Sequence, residues 1–306
     1  MAITLITVCI LVLSLFCTIA MLYQWILQPA VRLSVLDYGK LIVSGIVAFI
    51  ADTIGVGSFA VNVAMSKLFN TFRDDELPAV NNGAQVIPGT IESLFFMQWI
   101  SVDLTTLLTL VTGTCIGGIL GGAIVSRLSK QAIRLAMMGC FLLIMSLLFC
   151  HQLHLLRMDG DVVALHAWRL VLGFFAMILC GALTSVGIGL FAMIQGVLFL
   201  LGVSPLVAFP IMMTAGAMQQ PLTTLVFLQQ RKIPLKKTLI LSLAGCVGVG
   251  ITLPLFSHLT ISWLHSLLLV ILLYNFIAIG RTYLQTRRAI HAPEVIQEAL
   301  SLPSNG

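Results

Sequence analysis

From Leu170 to Gln230 the chain carries no Asp, Glu, Lys or Arg. A soluble helical protein needs a polar face on nearly every helix, so a stretch of this length excludes an ordinary water-facing fold. A membrane-spanning helix needs about 20 mostly apolar residues, and this stretch and several others supply them. Across 306 residues, 59% are apolar and 9% charged. The expected fold class is an all-α polytopic membrane protein. The net charge of +5 comes from basic residues clustered between the apolar segments, as membrane topology requires. It calls for no nucleic-acid partner.

One phrase occurs twice inside apolar segments: Ile54-Gly55-Val56-Gly57-Ser58-Phe59-Ala60 and Val186-Gly187-Ile188-Gly189-Leu190-Phe191-Ala192. Glycine costs roughly 1 kcal/mol relative to alanine in a helix interior, so paired glycines at matching places mark helix breaks. A break frees backbone groups that lipid cannot satisfy, and it survives only where it is buried in protein or lines a cavity. Two broken segments in corresponding halves point to the binding site of a transporter.

The spacing of apolar runs divides the chain into a first helix and linker (1–38), a first repeat (39–151), a polar linker (152–167), a second repeat (168–283) and a short tail (284–306). Segment 3–27 has no basic n-region and is too long for a signal h-region, so it reads as a retained helix. Within the first repeat the segments are 39–70 (broken), 77–98, 104–126 and 131–151; within the second they are 168–202 (broken), 205–229, 235–255 and 262–283. Thr114-Cys115-Ile116-Gly117 aligns with Gly245-Cys246-Val247-Gly248. Arg127, Lys130 and Arg134 mark one loop of the first repeat as cytoplasmic. Arg231, Lys232, Lys236 and Lys237 mark a non-equivalent loop of the second, and Arg281, Arg287 and Arg288 mark the tail. Equivalent loops then fall on opposite sides, the pattern of an inverted-topology repeat. Segment 39–70 must enter and leave by one face as two half-helices, and 168–202 must do the same from the other. The expectation is about seven full spans plus two re-entrant hairpins, N-terminus outside and C-terminus cytoplasmic. A single tilted crossing by 39–70 is the alternative. Arg157 and Arg169, on the outer linker, run against this topology.

The chain resembles the sulfite exporter TauE/SafE family of bacterial membrane transporters from about Ser44 to Tyr283. The resemblance rests on Ala51-Asp52-Thr53-Ile54-Gly55-Val56-Gly57-Ser58-Phe59 and Gly181-Ala182-Leu183-Thr184-Ser185-Val186-Gly187-Ile188-Gly189. Ala208-Phe209-Pro210-Ile211-Met212-Met213 and the glycine-rich Gly117-Gly118-Ile119-Leu120-Gly121-Gly122-Ala123 add to it. Many members carry Gly-x-Gly-Gly-Gly after each break, whereas Ser58 and Leu190 follow here, the mark of a divergent subgroup. The resemblance implies movement of small sulfur-containing anions such as sulfite, thiosulfate or organosulfonates across the bacterial cytoplasmic (inner) membrane.

The residues at the breaks suit that chemistry. A half-helix starting near Gly57 or Gly189 directs backbone N–H groups and its positive dipole end into the bilayer, an anion site that needs no buried lysine. Gly55 and Gly187 share those turns, and Thr53, Ser58, Thr184 and Ser185 add hydroxyls. Small residues there also allow close helix packing with no ligand at all. Asn81, Asn82 and Gln85 before Pro88, and Thr214, Gln219 and Gln220 between Pro210 and Pro221, either complete a polar cavity or join helices by hydrogen bonds. Asn62 and Gln195 are weaker candidates. Asp52 is an intramembrane carboxylate, either a carrier of a coupling proton or cation or a cap on the second half-helix. Thr184 takes its place in the second repeat. Glu92 is expected near the outer end of its segment, solvated and without a role.

The seven cysteines lie in or beside apolar segments with no Cys-x-x-Cys, and read as packing residues. His151, His154 and His166 lack the partners a metal site requires. No phosphate-binding Gly-x-x-x-x-Gly-Lys motif is present, so an ATP-driven pump is not expected. The reading is a secondary transporter and not an enzyme, with no metal or cofactor. Its partners are a small anionic substrate and the lipid bilayer, with a homo-oligomer left open. The alternative is a proton- or cation-coupled carrier of another small anion or carboxylate, with Asp52 as ion ligand.

Overall fold

The structure is a computed structural model that describes residues 2–29, 32–99, 102–153, 161–186, 189–231, 233–254, 270, 273–274 and 276–285. The segment 262–283 and the tail 284–306 therefore lie largely outside the described residues. The described chain is helical: α1 (Ala2–Leu27), α2 (Val35–Thr53), α3 (Ser58–Phe69), α4 (Leu77–Trp99), α5 (Leu104–Val125), α6 (Lys130–Gln152), α7 (Ala167–Thr184), α8 (Leu190–Leu200), α9 (Pro205–Gln229) and α10 (Leu235–Thr252). Four of these, counted over Ile3–Leu27, Leu104–Val125, Ala167–Thr184 and Leu235–Thr252, are long and apolar enough to cross a membrane. Many of their large apolar side chains face outward, among them Leu15, Phe16, Ile124 and Phe175, as in a membrane-embedded protein.

Helix ends follow local chemistry. Ser34 caps α2 by accepting from the Asp37 N–H at 3.1 Å, and the Asp37 carboxylate accepts from the Ser34 N–H at 3.0 Å, a capping box. Asp103 caps α5 by accepting from the Thr106 N–H and hydroxyl, both at 2.8 Å. Pro205 opens α9, where its fixed φ suits the first turn.

Small residues decide which helices pair. Helix α5 runs alongside α7: a Cβ on Gly121 would lie 2.5 Å from Ala182 O, and one on Gly117 or Gly181 would collide with the facing backbone of Ile178 or Thr114. The same relation holds between α2 and α10, where a Cβ on Gly45 would meet Leu241 O at 2.5 Å and one on Gly248 would meet Ile46 O at 2.5 Å. In lipid no water drives apolar helices together, so backbone approach of this kind supplies the packing energy. Helices α4 and α9 cross at the centre, with Phe96 stacked on Phe209 at 5.7 Å between ring centroids. Helix α1 lies across this pair: the Ser14 hydroxyl donates to Val86 O at 3.1 Å and the Cys17 thiol to Pro221 O at 3.5 Å.

The two interrupted segments fold back as hairpins. At the mouth of α2–α3 the Lys40 ammonium donates to Phe69 O at 3.4 Å, joining the start of one helix to the end of the other. That mouth is ionic. Asp74 pairs with Lys67 and with Arg134, Asp75 with Arg73 and Lys130, and Lys237 donates to Thr71 O. The mouth of α7–α8 is closed by neutral backbone bonds: Val162 N–H to Gly202 O and Ser204 N–H to Val162 O, both 3.0 Å. Leu165 N–H donates to Thr106 Oγ1 there, in the first turn of α5. The ionic mouth sits beside the other end of α5, where Asp75, Val125, Ser126 and Lys130 line one shallow pocket. The hairpins open at opposite ends of that helix.

Candidate functional site

Helix α2 stops at Thr53 because Gly55 and Gly57 adopt φ of 91° and 95°, values open to glycine and strained for any other residue. The turn spends its own donors. Ile54 N–H reaches Ile50 O, Gly55 N–H reaches Asp52 O, and the N–H groups of Val56 and Gly57 both reach Ala51 O. The first donor of α3, Ser58 N–H, is taken at 2.6 Å by the Asp52 carboxylate. Every N–H from Ile54 to Ser58 is therefore bound within the chain, and the free donors expected at Gly55 and Gly57 are not presented. Asp52 occupies the positive end of α3, as a cap does.

Around this cap lies a buried polar chain. Gln85 of α4 donates through Nε2 to Asp52 Oδ2 and lies 3.4 Å from Glu92 Oε2. Its carbonyl oxygen accepts from the Ser58 hydroxyl at 2.6 Å. Thr53 Oγ1 lies 2.9 Å from Phe49 O and 2.7 Å from Glu92 Oε1. Asp52, Thr53 and Glu92 are all 0% exposed. The expectation of a solvated Glu92 is overturned, because the helices around α4 enclose that turn and set the side chain against α2. A signal for this was present: Glu92 follows Gln85 by seven residues, two helical turns, and so shares its face.

The second break differs. Helix α7 ends at Thr184, whose hydroxyl donates back to Cys180 O at 2.8 Å. Ser185 Oγ donates to Gly118 O at 3.0 Å, tying the break to α5. Gly187 lies outside the described residues. Gly189 directly precedes α8. The two breaks meet here: a Cβ on Gly189 would lie 3.8 Å from Phe59 Cβ, and Asn82 Nδ2 reaches Thr184 O at 3.4 Å while donating to Pro78 O at 2.8 Å.

The other amides gather around this junction. Asn62 of α3 donates to Asn81 Oδ1, and Gly55 lies under the Phe209 ring. Thr214 Oγ1 accepts from the Ser93 hydroxyl at 3.5 Å, and Gln219 donates to Thr223 Oγ1 at 2.5 Å. Asn62 Oδ1, Asn82 Oδ1, Gln219 Oε1 and Gln220 Oε1 are buried without a hydrogen-bond partner. These unpartnered oxygens are counted among the described residues, and they make the interior around the breaks polar. Gln195 is half-buried on α8. Among the described residues no three His, Cys, Asp or Glu side chains converge as metal ligands.

Comparison of the chain with known protein families, with characterised proteins and with solved structures finds no match to any of them.

Proposed function

We propose that this protein is a secondary transporter, and by default an exporter, of small sulfur-containing anions. It would be a divergent relative of the TauE/SafE exporters that its break motifs resemble. The observation that carries the reading is the meeting of two helix breaks, from hairpins that open at opposite ends of α5, in a buried interior rich in amides and hydroxyls. Breaks of this kind, placed in corresponding segments, are how transporters build a site that two halves can expose in turn. The matching pairs α2 with α10 and α5 with α7 support an inverted repeat as the frame.

The bound donors of the first break shift the anion toward the second. Asp52 already neutralises the positive end of α3, whereas Thr184 leaves the corresponding place beside α8 without a carboxylate. Asn82, which touches both repeats, lies between them. The basic mouth of α2–α3 supports a cytoplasmic assignment for that end, in a bacterial inner membrane with the N-terminus outside. An inside-negative potential favours outward movement of each negative charge by about 2.3 kcal/mol per 100 mV, so export can run without coupling.

The test is purified protein in liposomes loaded with sulfite, thiosulfate, an alkyl sulfonate or a carboxylate, read as anion flux and membrane current. Flux of a sulfur oxyanion or sulfonate is expected. Absence of any anion-dependent flux or current would falsify the proposal, and flux of carboxylates alone would replace the substrate class.

The buried pair Asp52 and Glu92 favours one second reading, a carrier whose anion movement is coupled to a proton or cation. Dependence of the same flux on an imposed pH or sodium gradient separates it from uncoupled export.

A further inference from the structure

Two carboxylates share one amide in the core of this molecule. We infer that Glu92, and not Asp52, carries a proton there, and that this proton is the one exchanged when the interior changes state. The exchange rests on the transporter reading; the location of the proton does not.

The assignment follows from the donors each carboxylate receives. The Thr53 hydroxyl has one hydrogen, and it is shared between Glu92 Oε1 at 2.7 Å and Phe49 O at 2.9 Å, an oxygen already engaged in the backbone ladder of α2. The Ser58 hydroxyl donates mainly to Gln85 Oε1, at 2.6 Å, a group that only accepts. Asp52 by contrast is well supplied. It accepts the Ser58 backbone N–H at 2.6 Å and the Gln85 amide, and it faces the positive end of α3. Glu92 is left with the shared Thr53 hydroxyl, a 3.4 Å contact from the same amide, and no backbone N–H or helix end among these contacts.

Charge requires that one of the two hold a proton, since buried carboxylates that share one amide cannot both ionise unless a cation joins them. Helix α9 faces Glu92 with no titratable side chain at all. The titratable groups of α1 are the exposed Cys9 thiol, the Cys17 thiol bound to Pro221 O and the exposed Tyr23, and from α10 the Cys246 thiol lies within electrostatic reach of Glu92. Lys67 of α3 is engaged by Asp74 at the ionic mouth, and Lys237 of α10 by Thr71 O. No basic side chain among the described residues comes to the pair.

With Glu92 neutral, the interior holds one fixed negative charge that α3 itself balances. Loss of the proton adds a second charge beside the junction of the two breaks and repels an anion held there. Proton loss and anion release are linked on this account.

Infrared spectroscopy of the full chain in proteoliposomes tests where the proton is. A carbonyl stretch of a protonated carboxyl is expected in the wild type and in Asp52→Asn, and is lost in Glu92→Gln. Its absence from the wild type, or its survival in Glu92→Gln with loss in Asp52→Asn, overturns the assignment. A reading without substitutions comes from dicyclohexylcarbodiimide, which attacks protonated carboxyls in apolar surroundings. Mass spectrometry should find the adduct on the Glu92 peptide, and an adduct on Asp52 in its place counts against the inference. In flux assays with thiosulfate, Glu92→Gln should remove the dependence on pH. A wild type that shows the band but moves no anion disproves the transporter reading and leaves the Glu92 assignment standing.

Discussion

The two helix breaks share a sequence phrase yet solve the same physical problem in different ways. The first is closed on itself: glycines at positive φ turn its N–H groups back to the end of α2, and Asp52 seals the start of α3. The second has a threonine where the first has a carboxylate; besides the bonds it returns to α7, it is tied to Gly118 of α5 and Asn82 of α4. One tip thus carries its own charged cap and the other does not. Two breaks built on one phrase need not do equal work, and here the one with a carboxylate caps the start of its own following helix.

The largest way to break this comparison is to exchange the key side chains. Asp52→Ala leaves Ser58 N–H and the Gln85 amide without their buried acceptor and should lower stability by about 2–5 kcal/mol. Thr184→Val removes only a bond to Cys180 O and should stay within about 1 kcal/mol. Thermal unfolding in detergent reads both. Equal losses would mean the breaks are equivalent after all.

The helix pairs offer the next contrast. Alanine at Gly181 meets the backbone of Thr114, whereas alanine at Gly245 meets the ring of Phe49, which can move. Overpacking costs about 1–3 kcal/mol, and Gly181→Ala should sit at the top of that range with Gly245→Ala near its lower end. A reversed order would show that α2 and α10 are held more tightly than α5 and α7.

Backbone conformation gives a smaller effect. Gly57→Ala forces a side chain onto a φ of 95° and should cost about 1–3 kcal/mol. Gly189→Ala enters ordinary space, 3.8 Å from Phe59 Cβ, and should change stability by less than about 1 kcal/mol. Any effect of the latter on flux is then a local one at the junction.

The two mouths supply the smallest effects. Asp103 caps α5 at the neutral mouth, and its bond from the Thr106 backbone N–H holds its carboxyl below the usual range. A carboxyl lowered by folding stabilises the folded state above its unfolded value of about 3.9, and that contribution disappears as pH falls through the folded value. Asp103→Ala should lower stability by about 1 kcal/mol at neutral pH and by less in acid. At the ionic mouth, Asp75 is likewise held low by Arg73 and Lys130 against the opposing effect of burial. Salt should weaken that exposed network and leave the backbone-bonded mouth unaffected, which limited proteolysis at varied ionic strength can compare.

Much of this architecture was legible in the chain. The apolar runs gave the described helices α1 to α10 within a few residues, because length and hydropathy act locally. Gly55 and Gly57 announced the first break, since only glycine takes their φ cheaply. Asp52 stood out because a carboxylate in an apolar segment demands an explanation. Glu92 did not, although it shares the same network. Its position along α4 suggested access to water, and nothing local says that α2 covers that turn. The free donors expected at Gly55 and Gly57 failed for a related reason: a sequence marks a break but not where the broken bonds are remade.

By itself, then, the sequence determined the class of fold, the helix boundaries and the two places where helices must stop. These follow from hydrophobic period and backbone sterics, which depend on near neighbours. Only the tertiary structure decided that the breaks touch, that the hairpins open at opposite ends of α5, and that Gln85 binds two carboxylates at once. Those facts depend on pairings across the chain, where a glycine on one helix lets another backbone approach. Such contacts have no local signature, because each needs both partners in place before either is favourable.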